Sequence, residues 1–265
     1  MKPTCSVSLL LGLAALIVGP AQVEAQLSTF AVLGGSTVTN TMTPTVVTGN
    51  LGVSPGSAVT NFPPGLVVLG TIHAADMPAA QAQTQLVALY NALASQACTT
   101  DLTGQDLGGL TLGPGVYCFT SSAQLTGVVT LDGQGDPNAQ FIFKIGSTLT
   151  TASAASTLLI NSASSCGVFW QVGASATLGT GTALAGNVVA LSSITLTTGS
   201  SVSGRVLARN GAVTLDDSDV TLCSGGSLPG VPVGVVDVPA LSPWGLSALA
   251  AILGAVAILL ASRRR

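Results

Sequence analysis

The fold turns on "TLGTGTALAG", Thr177 to Gly186, and on "TLTTGSSVSG", Thr195 to Gly204, which repeats its pattern eighteen residues later with no charge in either copy. The pattern extends back to "TLTTASAAS", Thr148 to Ser156, and forward to a decayed copy, "TLDDSDV", Thr214 to Val220. Short β-branched segments such as "FAVLGGSTVTN", "LTLGPGVYCF" and "GNVVALSSITLTTG" alternate apolar with small polar residues, which is the period of a strand. A spacing near eighteen residues, from Thr177 to Thr195 to Thr214, corresponds to one coil of a β-solenoid, in which three short strands per turn stack on their equivalents in the next. The coils before Thr177 vary in length, so insertions interrupt the winding.

Outward from the repeats, the 265 residues are 48 % hydrophobic and only 6 % charged. Long continuous apolar runs nevertheless occur only at the two ends. Lys2, the run Leu9 to Val18, Pro20 and the small-residue site Val23-Glu24-Ala25 make residues 1–25 a secretory signal peptide cleaved before Gln26, so the protein is expected to be exported, to the cell envelope or outside. Residues 238–265 hold a sixteen-residue apolar run, Leu246 to Ala261, closed by Arg263-Arg264-Arg265, a marginal transmembrane helix whose positive end stays cytoplasmic. Residues 225–237, rich in Gly, Pro and Val, read as a linker. Residues 26–224 are then one domain.

That domain carries eight aspartates against Lys144, Arg205 and Arg209, a balance that excludes nucleic acid as a partner. Cys5 leaves with the signal, and Cys98, Cys118, Cys166 and Cys223 form an even set in an exported chain. Of the three possible pairings we expect Cys98 with Cys118, bracketing the segment from a helix end to the next strand, and Cys166 with Cys223, tying the last coil back. The helix is read from Asp76 as cap, Pro78 in the first turn and an apolar stripe at Leu86, Leu89, Tyr90, Leu93 and Ala97. One apolar stripe needs a surface to cover, and a solenoid face is the only large one.

Catalytic chemistry finds little support. The single histidine, His73 in "GTIHAAD", reads as a packed or capping residue, with no nucleophile placed beside it by a recognisable motif. Asp216, Asp217 and Asp219 near Arg205 and Arg209 could form the calcium and base cluster of a polysaccharide lyase, but read more simply as turn aspartates. "GTGTALAG" is spaced unlike a dinucleotide fingerprint and has no following helix. "DGQGDP", Asp132 to Pro137, occurs once where calcium nonapeptides need stacked copies. Phe141, Phe143 and Trp170 read as core, although Trp170, Phe169 and Phe141 raise the alternative of an adhesin or matrix protein that stacks sugars. No enzyme activity, metal or cofactor is expected.

The motifs "FAVLGGSTVTNT", "VVTGNLGVSPGSAVTNFPPG", "DLTGQDLGGLTLGPGVYCF", "VFWQVGASATLGTGT" and "GRVLARNGAVTL" resemble the microbial ice-binding proteins long catalogued as a domain of unknown function, over about Leu27 to Cys223. The resemblance implies a mainly β fold, a discontinuous right-handed β-solenoid with one long α-helix packed alongside, and an antifreeze function in which the partner is an ice crystal surface met by a monomer. It also implies a T-A/G-x-T/N signature on one flat face. Carried over, the signature falls on Thr151-Ala152-Ser153-Ala154, Thr180-Gly181-Thr182-Ala183 and Thr198-Gly199-Ser200-Ser201, so the expected contact residues are Thr151, Ser153, Thr180, Thr182, Ala183, Thr198, Ser200 and Ser201. The fourth position departs in every copy. The tail, "VPALSPWG" with its apolar run and three arginines, resembles the IPTL-CTERM type of sorting signal, which implies the membrane or a sorting protease as a second partner.

Overall fold

The computed structural model describes residues 22–23, 26–41, 44–223, 228–231 and 234–235. Residues 1–21, 24–25 and 236–265, which hold nearly all of the expected signal peptide and the whole apolar tail, lie outside the described residues. Residues 1–24 with 233–265 form one unit, of which the described part is a short antiparallel pairing of Gln22–Val23 with Gly234–Val235. Residues 25–232 form the other, described below. No described helix is long and apolar enough to cross a membrane.

The repeats build parallel strands on three faces. The first, the helix face, stacks nine strands in the order Thr100–Asp101, Gly115–Phe119, Phe141–Ile145, Val168–Val172, Ala183–Ala190, Ser201–Ala208, Phe30–Gly34, Asn50–Val53 and Ile72–Ala74. The second, the threonine face, is a seven-stranded sheet ordered Ala123–Leu125, Leu149–Thr151, Ala176–Leu178, Ile194–Leu196, Val213–Leu215, Thr37–Asn40 and Ala58–Thr60. The third face carries Thr111–Leu112, Val128–Asp132, Ser156–Ile160, the first halves of Ala183–Ala190 and Ser201–Ala208, Asp219–Thr221, Val46–Thr48 and Leu66–Val68. The two long strands bend from third face to helix face at Gly186 and Gly204, whose φ values of 120° and 151° an L side chain rarely adopts.

Stacking order and chain order differ. Residues 30–74 wind the coils at one end, the chain then crosses to the far end, and 100–221 wind back until they meet the first coil. The two windings seal through Val206 on Val32, Thr214 on Thr39 and Val220 on Val47. The helix Met77–Ala94 makes the crossing. At 1.5 Å per residue it is about 27 Å long, against about 38 Å for nine strands at sheet spacing, and the flanking loops supply the rest.

This helix begins as its sequence dictates: the Asp76 carboxylate accepts from Ala79 N at 3.0 Å, and Pro78 occupies the first turn. Its stripe is Ala82, Leu86, Leu89 and Leu93, buried against Leu33, Leu207, Val189, Phe169 and Ile142 on the helix face. Full burial of each leucine stabilises by about 1.5–3 kcal/mol, which a lone helix of this length needs. The helix ends at Ala94, one turn short of expectation, so Ala97 is exposed outside it, while Tyr90, within the helix, is half-buried and packs against the edge of the same cluster. Leu228 and Val231, within the stretch read as a linker, are buried in the same cluster.

Inside the coils, Tyr117, Phe143 and Trp170 stack in register, with centroids 5.4 Å and 4.1 Å apart, and Trp170 Nε1 donates to Ala185 O at 3.0 Å. Phe141 is core as expected, and Phe169 is buried beneath the helix. Disulfides join Cys98 to Cys118 and Cys166 to Cys223, the partners read from the spacing.

Candidate functional site: the threonine face

Five of the seven strands of the threonine face carry one outward residue between two inward ones, while Thr37–Asn40 and Ala58–Thr60 continue the alternation with a second outward residue, Thr37 and Ala58. Most inward positions are aliphatic and buried, Ala123, Leu149, Ala176, Ile194, Val213 and Val38 on one side and Leu125, Leu178, Leu196 and Leu215 on the other, the second row also holding the buried polar residues Thr151 and Asn40. They set the register of the stack. Between them the outward residues align as a single file, Gln124, Thr150, Thr177, Thr195, Thr214, Thr39 and Thr60. Seven levels at 4.7–4.9 Å make a file about 29 Å long. Thr60, Thr150 and Thr177 are exposed and the other threonines half-buried, and Thr60 Oγ1 donates to Thr39 Oγ1 at 3.0 Å. Beside the file, Thr148 Oγ1 donates to Ser122 Oγ at 2.8 Å, and the Ser175 and Ser193 hydroxyls accept from the backbone of the next coil. No strand of this sheet contains a charged residue.

The expected signature residues divide among three places. Ser153, Thr180 and Thr198 are exposed at the corner that leaves the threonine face. Ala183 and Ser201 lie in register with Ser156 and Asp219 on the third face, a different surface. Thr151, Thr182 and Ser200 are interior, only 3 %, 0 % and 1 % exposed, which corrects their assignment as outward contacts. Thr151 Oγ1 and Thr182 Oγ1 share a hydrogen bond of 2.7 Å, Thr182 also donates to Ala152 O, and the Ser200 and Ser218 hydroxyls lie 3.3 Å apart. These hydroxyls satisfy a buried corner that would otherwise leave polar groups unpaired.

For Thr151 the cause is register, whereas Thr182 and Ser200 face inward in copies that are correctly aligned. Thr150 pairs with Thr177, so Ser153, not Thr151, shares a level with Thr180. Matching the letters T-A-S-A to T-G-T-A slips the first copy by two residues against the aliphatic positions that fix the coil. The file itself was missed as a site, although its signal is present: "ATL", "ITL" and "VTL" at 176–178, 194–196 and 213–215 each place a threonine between two inward apolar residues.

The other candidates resolve into structure. His73 Nδ1 lies 2.7 Å from Asp76 Oδ2 and its Nε2 2.8 Å from Thr71 Oγ1, bracing the helix start. Burial opposes ionisation of Asp76, but hydrogen bonds from Ala79 and His73 hold its carboxyl below the ordinary range. Asp106, opposed likewise by burial, is held low by Gly108 and by the Thr126 amide and hydroxyl. Arg205 is remote from the role considered for it: it is 3 % exposed and donates to Asn187 Oδ1 at 2.9 Å and Ser28 O at 3.0 Å, with burial lowering its pKa to about 10. Among the described residues, no cluster of His, Cys, Asp or Glu is arranged to hold a metal.

The profile of a family described as ice-binding-like matches residues 32–221. An ice-binding protein of Nostoc sp. (strain HG1) is 60 % identical over 195 residues, 73 % of this chain and 71 % of that protein. Among solved structures, an ice-binding protein from an Antarctic biological consortium matches with a TM-score of 0.72 at 40 % identity, over 84 % of this chain and 96 % of the other. One from the Antarctic ascomycete Antarctomyces psychrotrophicus matches with a TM-score of 0.72 at 39 % identity, over 76 % and 97 %.

Proposed function

The chain belongs to the ice-binding-like family, and we propose that it adsorbs to ice crystals through its threonine face. The observation that carries the assignment is the seven-level file from Gln124 to Thr60, uncharged and continuous across the sheet. A parallel stack repeats every 4.7–4.9 Å, so hydroxyls recur on a straight line that ordered water can match. Threonine is stiff at χ1, which holds its hydroxyl in place, while its methyl leaves adjacent water caged and loosely held. A charge would orient water around itself, and the strands carry none. Each contact is weak, but a rigid sheet makes all of them together, and anchored molecules force the ice front to curve between them, which resists growth. The corner hydroxyls of Ser153, Thr180 and Thr198 border this face and extend it.

The test is Thr177→Tyr, a ring raised from the centre of the file. Crystal shaping and growth arrest are expected to weaken sharply, while an exposed strand position changes folding stability by no more than about 1 kcal/mol. Undiminished growth arrest in the folded variant would move the site to another face.

We read the protein as a monomer without catalytic activity. An adhesin would need an exposed aromatic platform, whereas Trp170, Tyr117, Phe30, Phe141, Phe143 and Phe169 are buried. A lyase would need acid and cation converging in a groove, and Arg205 is sequestered elsewhere. Export, through residues 1–25, and retention or sorting through 238–265 complete the proposal on the sequence alone: sixteen apolar residues followed by three arginines stall translocation. Deleting 238–265 is expected to move the protein from the membrane fraction to the soluble one, and an unchanged distribution would refute the anchor.

A further inference from the structure

The threonine file is assembled from two stretches of chain. Thr150, Thr177, Thr195 and Thr214 belong to the winding 100–221, Thr39 and Thr60 to the winding 30–74, and the two meet between Thr214 and Thr39. No peptide bond crosses that joint on this face. On this face the joint is held by three paired residues, 213–215 on 38–40, by Gly35 N and Ser36 N donating to Gly211 O at one end, and by Thr41 N donating to Leu215 O at 2.8 Å at the other, beside Asp216.

At the border of the file beside the joint stands Asp216. Its Oδ1 accepts from Thr41 Oγ1, in the coil on the far side of the joint, and its Oδ2 accepts from Thr198 Oγ1, in the coil on the near side. Asp217 follows it on the same turn and Asp219 opens the next strand, on the third face, so negative charge gathers at this corner where the adjoining sheet has none. A carboxylate beside an ice-adsorbing plane is costly to that function, because its free lone pairs would organise water around the charge. Here each oxygen is instead engaged by a threonine hydroxyl, in the charge-assisted bond that is the stronger kind.

Resting on the assignment of the threonine face, we propose that Asp216 is a positioning residue for ice adsorption: it clamps the Thr198 and Thr41 coils together and so keeps Thr39 and Thr60 in line with Thr150 to Thr214. A file split at the joint would present two shorter, mutually displaced rows, and a crystal plane would match only one at a time.

The experiment is a double-mutant cycle on the full chain, between Asp216→Ala and Thr39→Tyr, read as the protein concentration needed to arrest growth of a single ice crystal, with thermal unfolding of each variant alongside. Asp216→Ala is expected to raise that concentration several-fold. Thr39→Tyr should be damaging in the parent but add little once Asp216 is gone, since its row is already out of line. Asp216→Asn keeps one oxygen acceptor and should fall between the parent and the alanine variant; it also replaces Asp216→Ala in the cycle should that variant fail to fold. Arrest unchanged in Asp216→Ala, or full additivity with Thr39→Tyr, would overturn the proposal. Thr177→Tyr serves as the control: if it too leaves arrest unchanged, the face is misassigned, whereas damage from Thr177→Tyr alone condemns only the clamp.

Discussion

Thr150 and Thr151 are neighbours with opposite fates, one exposed on the file and the other 3 % exposed in the interior. Alternation along a strand makes this unavoidable. The outward threonine offers its hydroxyl to water; the inward one spends it on Thr182 and on Gly179 N, at 2.9 Å. The two kinds should therefore separate cleanly by substitution. Thr182→Val keeps the shape and removes the partner of the Thr151 hydroxyl, leaving a buried polar group unmade, a cost of about 1–3 kcal/mol. Thermal unfolding should show that loss, while growth arrest per folded molecule stays at the parent level. A matching loss of ice activity at full folding would mean that the corner, not the strand, meets the crystal. Ala183→Thr, which fills the fourth signature position, adds a hydroxyl on the third face and should leave arrest unchanged.

Among the elements, the helix was the most legible because its signals are local. Asp76 caps, Pro78 follows within the first turn, and leucines recur every three or four residues. Asp76→Ala removes both the bond to Ala79 N and the partner of His73, and should lower folding stability by about 1 kcal/mol, seen as a lower unfolding temperature with ice shaping intact. No change in unfolding temperature would show that packing alone fixes the helix start. Strands were legible as strands for the same local reason, and the eighteen-residue period made the solenoid. What local pattern does not encode is which levels coincide. The two-residue slip at Thr151 arose because threonine and small residues recur at both strand and corner, whereas the buried leucines that settle the register look alike in every coil. Nor could Thr39 and Thr60 be assigned to the file of Thr214 from spacing, since that neighbourhood joins positions whose separation along the chain exceeds any repeat.

At the scale of the whole domain, the discontinuity transfers the burden of cohesion from chain connectivity to side chains at the joint. Ser218 N donates to the buried Thr45 hydroxyl at one corner, and Arg205 reaches Ser28 O at another. Arg205 also donates to Asn187 Oδ1, whose amide in turn donates to Cys166 O and Val168 O, so a buried polar column runs from the first coil down to the disulfide. Arg205 Nη1 further touches Cys223 Sγ at 3.3 Å, so the Cys166–Cys223 bond and the column brace the same corner. The bond closes a separation of 57 residues, for which the chain-entropy relation gives about 4 kcal/mol. Replacing both cysteines by serine should lower unfolding free energy by that order and release the last coil first, because Cys223 lies two residues beyond the strand Asp219–Thr221 that pairs with Val46–Thr48. Hydrogen exchange should then show amides of 219–221 and 46–48 opening well before those of 168–172, which lie mid-stack under the helix. Uniform opening of all three segments would show that the joint is no weaker than the rest of the stack, and that the disulfide stabilises the domain as a whole.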